Sequence, residues 1–226
     1  MKKQLNEKNG ESGYTLILNT VFEKLTVTVL KDAHAQYHCE FFEKKRNAFK
    51  IDGIIENAFK ICDIEFKDIS GIAAFTGPGS FTGLRIGLSA VKGLAEGAGV
   101  PICPVPTFEA FALYAVKHLN NGAEFAIARN VNVEEIYAAR FRKENDSYKF
   151  ITGVEIIKKI DFGRFTVQGD ILFGNFKYND RIPEITDVDA LTVAEWSVKY
   201  GTHLITKEYD YLEPDYLKKF EGRKQQ

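Results

Sequence analysis

The densest run of chemically suggestive residues is Thr76-Gly77-Pro78-Gly79-Ser80-Phe81-Thr82-Gly83-Leu84-Arg85-Ile86-Gly87. The apolar stretch Gly71–Thr76 ahead of it reads as a buried strand, and Phe81 to Glu96 reads as a helix ended by Gly97 and Gly99. The glycines therefore sit at a strand-to-helix turn. Such a turn leaves backbone N–H groups at the positive end of a helix, where an anion can dock. On that reading Gly77, Gly79, Ser80, Phe81 and Thr82 form a nucleotide or anion cradle. The same glycines also permit a tight turn with no ligand, and both readings stand. No Lys follows the glycines, so the segment is not a Walker A loop, and its G-x-G-x-x-x-G spacing is not the dinucleotide fingerprint.

Gly83 and Gly87 are four residues apart and share a helix face. A glycine inside a helix costs about 1 kcal/mol relative to alanine, so two on one face imply a close approach by the sheet beneath or by a partner helix. Leu84, Leu88 and Val91 occupy a neighbouring face. Ile51, Ile54, Ile55, Ala58 and Cys62 fall at i, i+3, i+4, i+7 and i+11, one side of another amphipathic helix. If a partner helix rather than the sheet makes that approach, the expected partner interface is Ile51, Ile54, Ile55, Ala58, Phe81, Gly83, Leu84, Gly87, Leu88 and Val91.

The remaining candidates are weaker. His34 and His38 make a His-x3-His pair, but between two expected strands, and read as solvent-facing or loop residues. Cys39, Cys62 and Cys103 fit neither a zinc pattern nor a CxxC pair and read as free thiols of a reducing compartment. Tyr209, Tyr211 and Tyr216 could stack on a base but read as anchors of the C-terminal segment, and Trp196 as a core residue. The charge run Glu43–Arg46 reads as a solvated turn. No Ser/His/Asp or Cys/His set can be defended from the sequence.

These residues need a frame. Thr15–Thr20, Leu25–Leu30 and the alternation of Tyr37, Cys39 and Phe41 predict three strands in an antiparallel meander. The helix from Ile51, the strand Gly71–Thr76, the helix from Phe81 and the run Val100–Val105 complete a β-β-β-α-β-α-β order. A helix is expected from Thr107 to Leu119, strands at Glu124–Arg129 and Glu135–Arg142, and a helix at Ala190–Tyr200 with Leu191, Ala194 and Val198 on one face. Residues 148–187 are ambiguous. The expected lobes are 1–106 and 107–226, with a change of layer near Pro106 and the last residues packing back on the first lobe. Met1–Gly13 reads as a polar leader without a secretory apolar core, and Glu221–Gln226 as a loose tail.

The 226 residues carry a formal net charge of −1, which argues against a broad sequence-independent nucleic-acid surface. No apolar run approaches the ~20 residues that cross a bilayer.

The segment TGPGSFTGLRIG resembles the signature of the TsaB (YeaZ) family. The resemblance continues through Ala90–Ala95, Pro101–Val105 and Thr107–Ala110. It returns around Ala128–Ala138, where IARNVNVEEIYAA is similar to the family's DAR-x-x-EVYAA, and at Pro214–Lys218, similar to P-x-YLR. It implies an α/β actin/Hsp70/sugar-kinase-like (ASKHA) fold of two lobes, each with a mixed sheet and flanking helices. It further implies a cytoplasmic, non-catalytic scaffold that pairs with the transferase TsaD and the ATPase TsaE, forms homodimers when isolated, and meets tRNA only through a complex that places threonylcarbamoyl on adenosine 37. It implies no cofactor or metal of its own, with ATP or ADP expected at most at the partner interface. Two departures from catalytic relatives stand out. Asn19 lies where active ATPases of this fold place an Asp, and a neutral amide is a poorer ligand for a hard cation. Thr107 and Phe111 stand where TsaD carries a His-x3-His metal pair. The alternative is a nucleotide-binding ATPase or kinase of the same fold working through the glycine turn.

Overall fold

The computed structural model describes residues 13–22, 24–42, 48–179 and 185–217, without the side chains of residues 48 and 49. The leader as far as residue 12, the charge run at 43–46 and the tail at 221–226 lie outside the described residues.

The first sheet contains β1 (Tyr14–Asn19), β2 (Leu25–Lys31), β3 (His34–Phe41), β4 (Ile69–Gly77) and β5 (Ile102–Pro106), in the order β3-β2-β1-β4-β5. The first three strands form the expected antiparallel meander, with Leu16 opposite Val29 and Val29 opposite Tyr37. β4 and β5 run parallel to β1. Parallel neighbours need long crossovers, and α1 (Ala48–Cys62) and α2 (Phe81–Ala98) supply them. His34 and His38 lie within β3 rather than in the connection before it.

Strand alternation divides the apolar residues between two layers. Leu16, Leu18, Ile72 and Ala74 face α1 and α2, which contribute Ile51, Ile55, Ala58, Leu88, Val91 and Ala95. Ile17, Ala73, Phe75, Cys103 and Val105 face the opposite way, into the centre of the molecule. There they meet α3 (Thr107–Val116), in which eight of ten residues are buried. A helix apolar on every side has to be packed on every side, and α3 lies between the two sheets.

The second sheet repeats the pattern with one strand fewer. β6 (Glu124–Asn130), β7 (Glu135–Glu144) and β8 (Ser147–Lys158) form another meander, and β9 (Ile171–Gly174) runs parallel to β6, in the order β8-β7-β6-β9. β8 accounts for much of the stretch that the sequence leaves ambiguous. Its pairing with β7 shifts register twice near Arg140, so its side chains break the two-residue period. A short α4 (Phe162–Phe165) covers the outer face of this sheet. In α5 (Ala190–Lys199) the buried residues are Thr192, Val193, Trp196 and Ser197. The expected apolar face is corrected here: Leu191 and Val198 are 49% and 50% exposed.

The chain beyond α5 returns to the first sheet. Ile102 and Thr206 exchange backbone hydrogen bonds of 2.8 and 2.9 Å. The Tyr209 hydroxyl donates to the Val100 carbonyl at 2.7 Å, the Asp215 N–H donates to the Thr76 carbonyl at 2.7 Å, and the Tyr216 ring lies 5.2 Å from that of Phe81.

Candidate functional site

The glycine turn joins β4 to α2, and other parts of the chain press on it. Gly77 has φ +121°, and a Cβ there would come 2.8 Å from the Asp215 carbonyl oxygen. A Cβ on Gly79 would come 2.1 Å from Val21 Cγ1. These two glycines are thus required by the close approach of the C-terminal segment and of the β1–β2 turn. Ser80 caps α2: its hydroxyl accepts from the Gly83 N–H at 3.2 Å, so one of the helix's unpaired donors is satisfied internally. Ser80, Phe81 and Thr82 are exposed, whereas Gly77 is buried.

Asn19 ends β1 and is itself buried. Its Oδ1 accepts from the N–H groups of Val21 at 3.0 Å and Phe22 at 3.4 Å. Its Nδ2 donates to Asp187 Oδ1 at 3.3 Å. Burial pushes the Asp187 carboxyl above its ordinary pKa, against the pull of the Val188 N–H and Arg129. The Arg129 guanidinium lies 4.2 Å from the centre of the Phe22 ring and donates to the Thr186 carbonyl at 2.9 Å. Phe22 in turn meets Phe75 and Phe111 edge-on at 5.3 and 5.9 Å.

Thr107 and Phe111, the counterparts of the histidine pair, are both buried in α3. Phe111 is an aromatic packing residue. The Thr107 hydroxyl has no hydrogen-bond partner among the described residues. His38 Nδ1 shares a 2.8 Å hydrogen bond with Thr28 Oγ1, and His34 Nδ1 lies 2.9 Å from the Asp32 carbonyl oxygen. Among the described residues no three His, Cys, Asp or Glu side chains converge as a metal site would require.

The expected interface needs correcting. Ile51, Ile55, Ala58, Gly83, Leu84, Gly87, Leu88 and Val91 are buried within the chain's own core, and only half-buried Ile54 and exposed Phe81 reach the surface. The Gly83–Gly87 face has an intramolecular partner, Thr20. Its hydroxyl donates to the Gly83 carbonyl at 2.6 Å, and a Cβ on Gly87 would come 2.2 Å from the same oxygen. The surface of α2 that remains open carries Ile86, Ser89, Ala90, Gly93 and Gly97. A Cβ on Gly93 or Gly97 would meet nothing within 4 Å. Both glycines are legible in the sequence at a four-residue spacing, but that spacing is the same for Gly83 and Gly87. Beside this face, α1, the 3-10 turn Phe66–Asp68 and α2 enclose a cleft of about 790 Å³, floored by Ile55, Phe59, Ile64 and Leu94. Tyr209 and Tyr216 act as anchors, while Tyr211 is 83% exposed, and Trp196 is core, its Nε1–H donating to the Tyr148 hydroxyl at 3.0 Å.

A β3-β2-β1-β4-β5 sheet, a second sheet of the same winding and a helix between them define an actin/Hsp70/sugar-kinase-like protein. The solved YeaZ from Pseudomonas aeruginosa superimposes with a TM-score of 0.71 at 20% identity, over 91% of this chain and 100% of that one. Residues 44–161, just over half the chain, match the family model described as TsaD: tRNA N6-adenosine threonylcarbamoyltransferase. The chain belongs to this family. It is 29% identical over 132 residues to the Escherichia coli K12 "tRNA threonylcarbamoyladenosine biosynthesis protein TsaB", covering 58% of this chain and 56% of that protein. The Haemophilus influenzae protein of the same name is 29% identical over 150 residues, 64% of this chain and 61% of that one. The match thus spans a little over half the length of these curated relatives. A tRNA N6-adenosine threonylcarbamoyltransferase of Rhizobium johnstonii is 37% identical over 121 residues, 53% of this chain and 31% of the enzyme.

Proposed function

We propose that this chain is a non-catalytic partner subunit in the formation of N6-threonylcarbamoyladenosine on tRNA. It binds a TsaD-type transferase, and through that pair TsaE, with the open face of α2 and the adjoining surface of α1. In isolation it forms a homodimer through the same face. It works in the cytoplasm, contacts tRNA only within the complex, and holds no cofactor of its own, any ATP or ADP sitting at the joint with its partner.

The observation that carries this reading is the use of three positions where catalytic relatives are expected to hold phosphate or metal. Asn19 closes its own turn, and Thr107 and Phe111 lie inside the core. The turn amides of Val21 and Phe22 are directed at the Asn19 carboxamide, which disfavours the ATPase or kinase alternative. In contrast, Gly93 and Gly97 leave room for a second backbone. A helix that accepts the cost of two solvent-facing glycines gains from close approach by another helix.

The test is co-purification with the source organism's TsaD-type transferase, followed by mass spectrometry of modified nucleosides from tRNA. Gly93→Leu/Gly97→Leu is expected to abolish pairing and modification. It should also raise the stability of the isolated chain by about 1 kcal/mol per site, because leucine is the better helix former. Pairing that survives the double substitution would remove the interface. Stoichiometric Mg-ATP binding by the isolated chain in calorimetry would favour the enzyme reading instead.

A further inference from the structure

Two contacts cross between the lobes at one place, and each joins the β1–β2 turn to the second lobe. The first is Asn19 to Asp187, at 3.3 Å. The second is Phe22 beneath the Arg129 guanidinium at 4.2 Å, with Arg129 also bound to the Thr186 carbonyl at 2.9 Å. Asn19, Phe22 and Arg129 are buried, Asp187 is half-buried and Thr186 is exposed. We propose that they form a clasp that fixes the angle between the two sheets, and that the clasp requires an amide at position 19.

The chemistry at position 19 is restrictive. One end of the side chain must accept from Val21 and Phe22 N–H, and the other must donate to a carboxylate. A carboxamide does both. A carboxylate would accept at both ends and place two negative charges face to face. Arg129 faces Asp187 from β6 and Lys24 from the β1–β2 turn, both favouring its ionised form. Glu40 faces it from β3 and opposes ionisation. These three groups modulate the carboxylate but none supplies the missing donor. Asn19 is thus suited to the closed arrangement for the reason that makes it a poor cation ligand.

The clasp is independent of the partner surface on α2, so its test needs no partner. Hydrogen exchange read by mass spectrometry on the full-length chain at neutral pH reports on the β1–β2 turn and residues 185–188. Asn19→Asp is expected to speed exchange in both segments at least about tenfold, the scale set by an unsatisfied buried polar group. Asp187→Asn alone should change little, because its carbonyl oxygen can still accept from Asn19. The double variant Asn19→Asp/Asp187→Asn removes the facing charges but does not restore the donor, because the Asp187 Oδ1 that meets position 19 also accepts from the Val188 N–H at 2.8 Å; it should recover part of the protection. If Asn19→Asp proves insoluble, Asn19→Ser decides the matter: a serine hydroxyl can close the turn but is too short to span the gap, so the loss should again appear at 185–188. Unchanged exchange in Asn19→Asp, or in Asn19→Ser where that replaces it, or a folded double variant that exchanges faster than Asn19→Asp, would overturn the clasp.

Discussion

Thr107 poses a question of a single atom. Its hydroxyl is fully buried and unpartnered among the described residues. A buried hydroxyl without a partner forfeits its hydration and gains nothing in return. Thr107→Val keeps the shape and removes the oxygen. The expected result is a protein as stable as the original or more stable by about 1 kcal/mol, read as a higher urea midpoint at unchanged slope. A loss of 2 kcal/mol or more would show that the hydroxyl has a partner. The sequence already distinguishes this position from a metal site, since threonine and phenylalanine stand where the related enzyme has two histidines. It does not reveal that the hydroxyl is unpaired, because hydrogen-bond satisfaction depends on segments distant in the chain.

At the scale of elements, α2 carries two pairs of glycines with the same spacing and different roles. Gly83 and Gly87 face Thr20, while Gly93 and Gly97 face solvent. Substitution to alanine separates the roles by the sign of its effect. Alanine gains about 1 kcal/mol in a helix interior. At Gly87, however, its methyl would sit 2.2 Å from Thr20 Oγ1 and 3.3 Å from Thr20 Cβ. The expected result for Gly87→Ala is a net loss of about 1–3 kcal/mol, the range of an overpacked core, measured by thermal or urea unfolding. Stabilisation instead would mean that Thr20 can rotate away freely. β1 to β7 and both early helices were legible, because period-2 and period-3.6 patterns report which face is buried. Which neighbour covers that face is not encoded in the period. Hence Ile51, Ile55, Leu88 and Val91 read correctly as apolar faces but were assigned to a partner rather than to the sheet. α5 failed for a related reason. Its Leu191, Ala194 and Val198 form a proper stripe, yet Trp196 and Val193 on the adjacent side take the core, leaving the stripe at the surface.

For the whole molecule, the junction of the lobes sets a pH dependence. Burial raises the folded-state pKa of Asp187. A carboxyl with a raised folded pKa binds more protons in the native state than in the unfolded chain. Its sign is therefore opposite to that of a salt-bridged carboxylate. Below the unfolded value, about 3.9, the group contributes no difference. As pH rises through the window up to the folded value, the native state loses stability, and the deficit then stays constant. Subtracting the urea midpoints of Asp187→Asn from those of the parent across this range should give a curve that falls with pH and levels off. A difference that rises with pH would mean that Arg129 and Lys24 outweigh the burial. The two-lobed plan was implied by the family resemblance, whereas the second meander was hidden in the ambiguous stretch, where β8 breaks the two-residue period. The lobe contacts were not legible, since Asn19, Arg129 and Asp187 are far apart in sequence and none belongs to a local pattern.

The bridge between Ile102 and Thr206 also limits how copies of this protein can join. β5 is the last strand of the first sheet, and an open strand edge is a template on which another chain can add its own backbone. Here the chain's own return segment takes the Ile102 N–H and carbonyl, and the Tyr209 hydroxyl holds the return segment to Val100 just ahead of β5. Growth from that side, strand on strand, is blocked by the molecule itself. At this edge association is thereby steered toward side chains and helix surfaces, where size and charge can discriminate between partners, and away from backbone pairing, which accepts almost any extended chain.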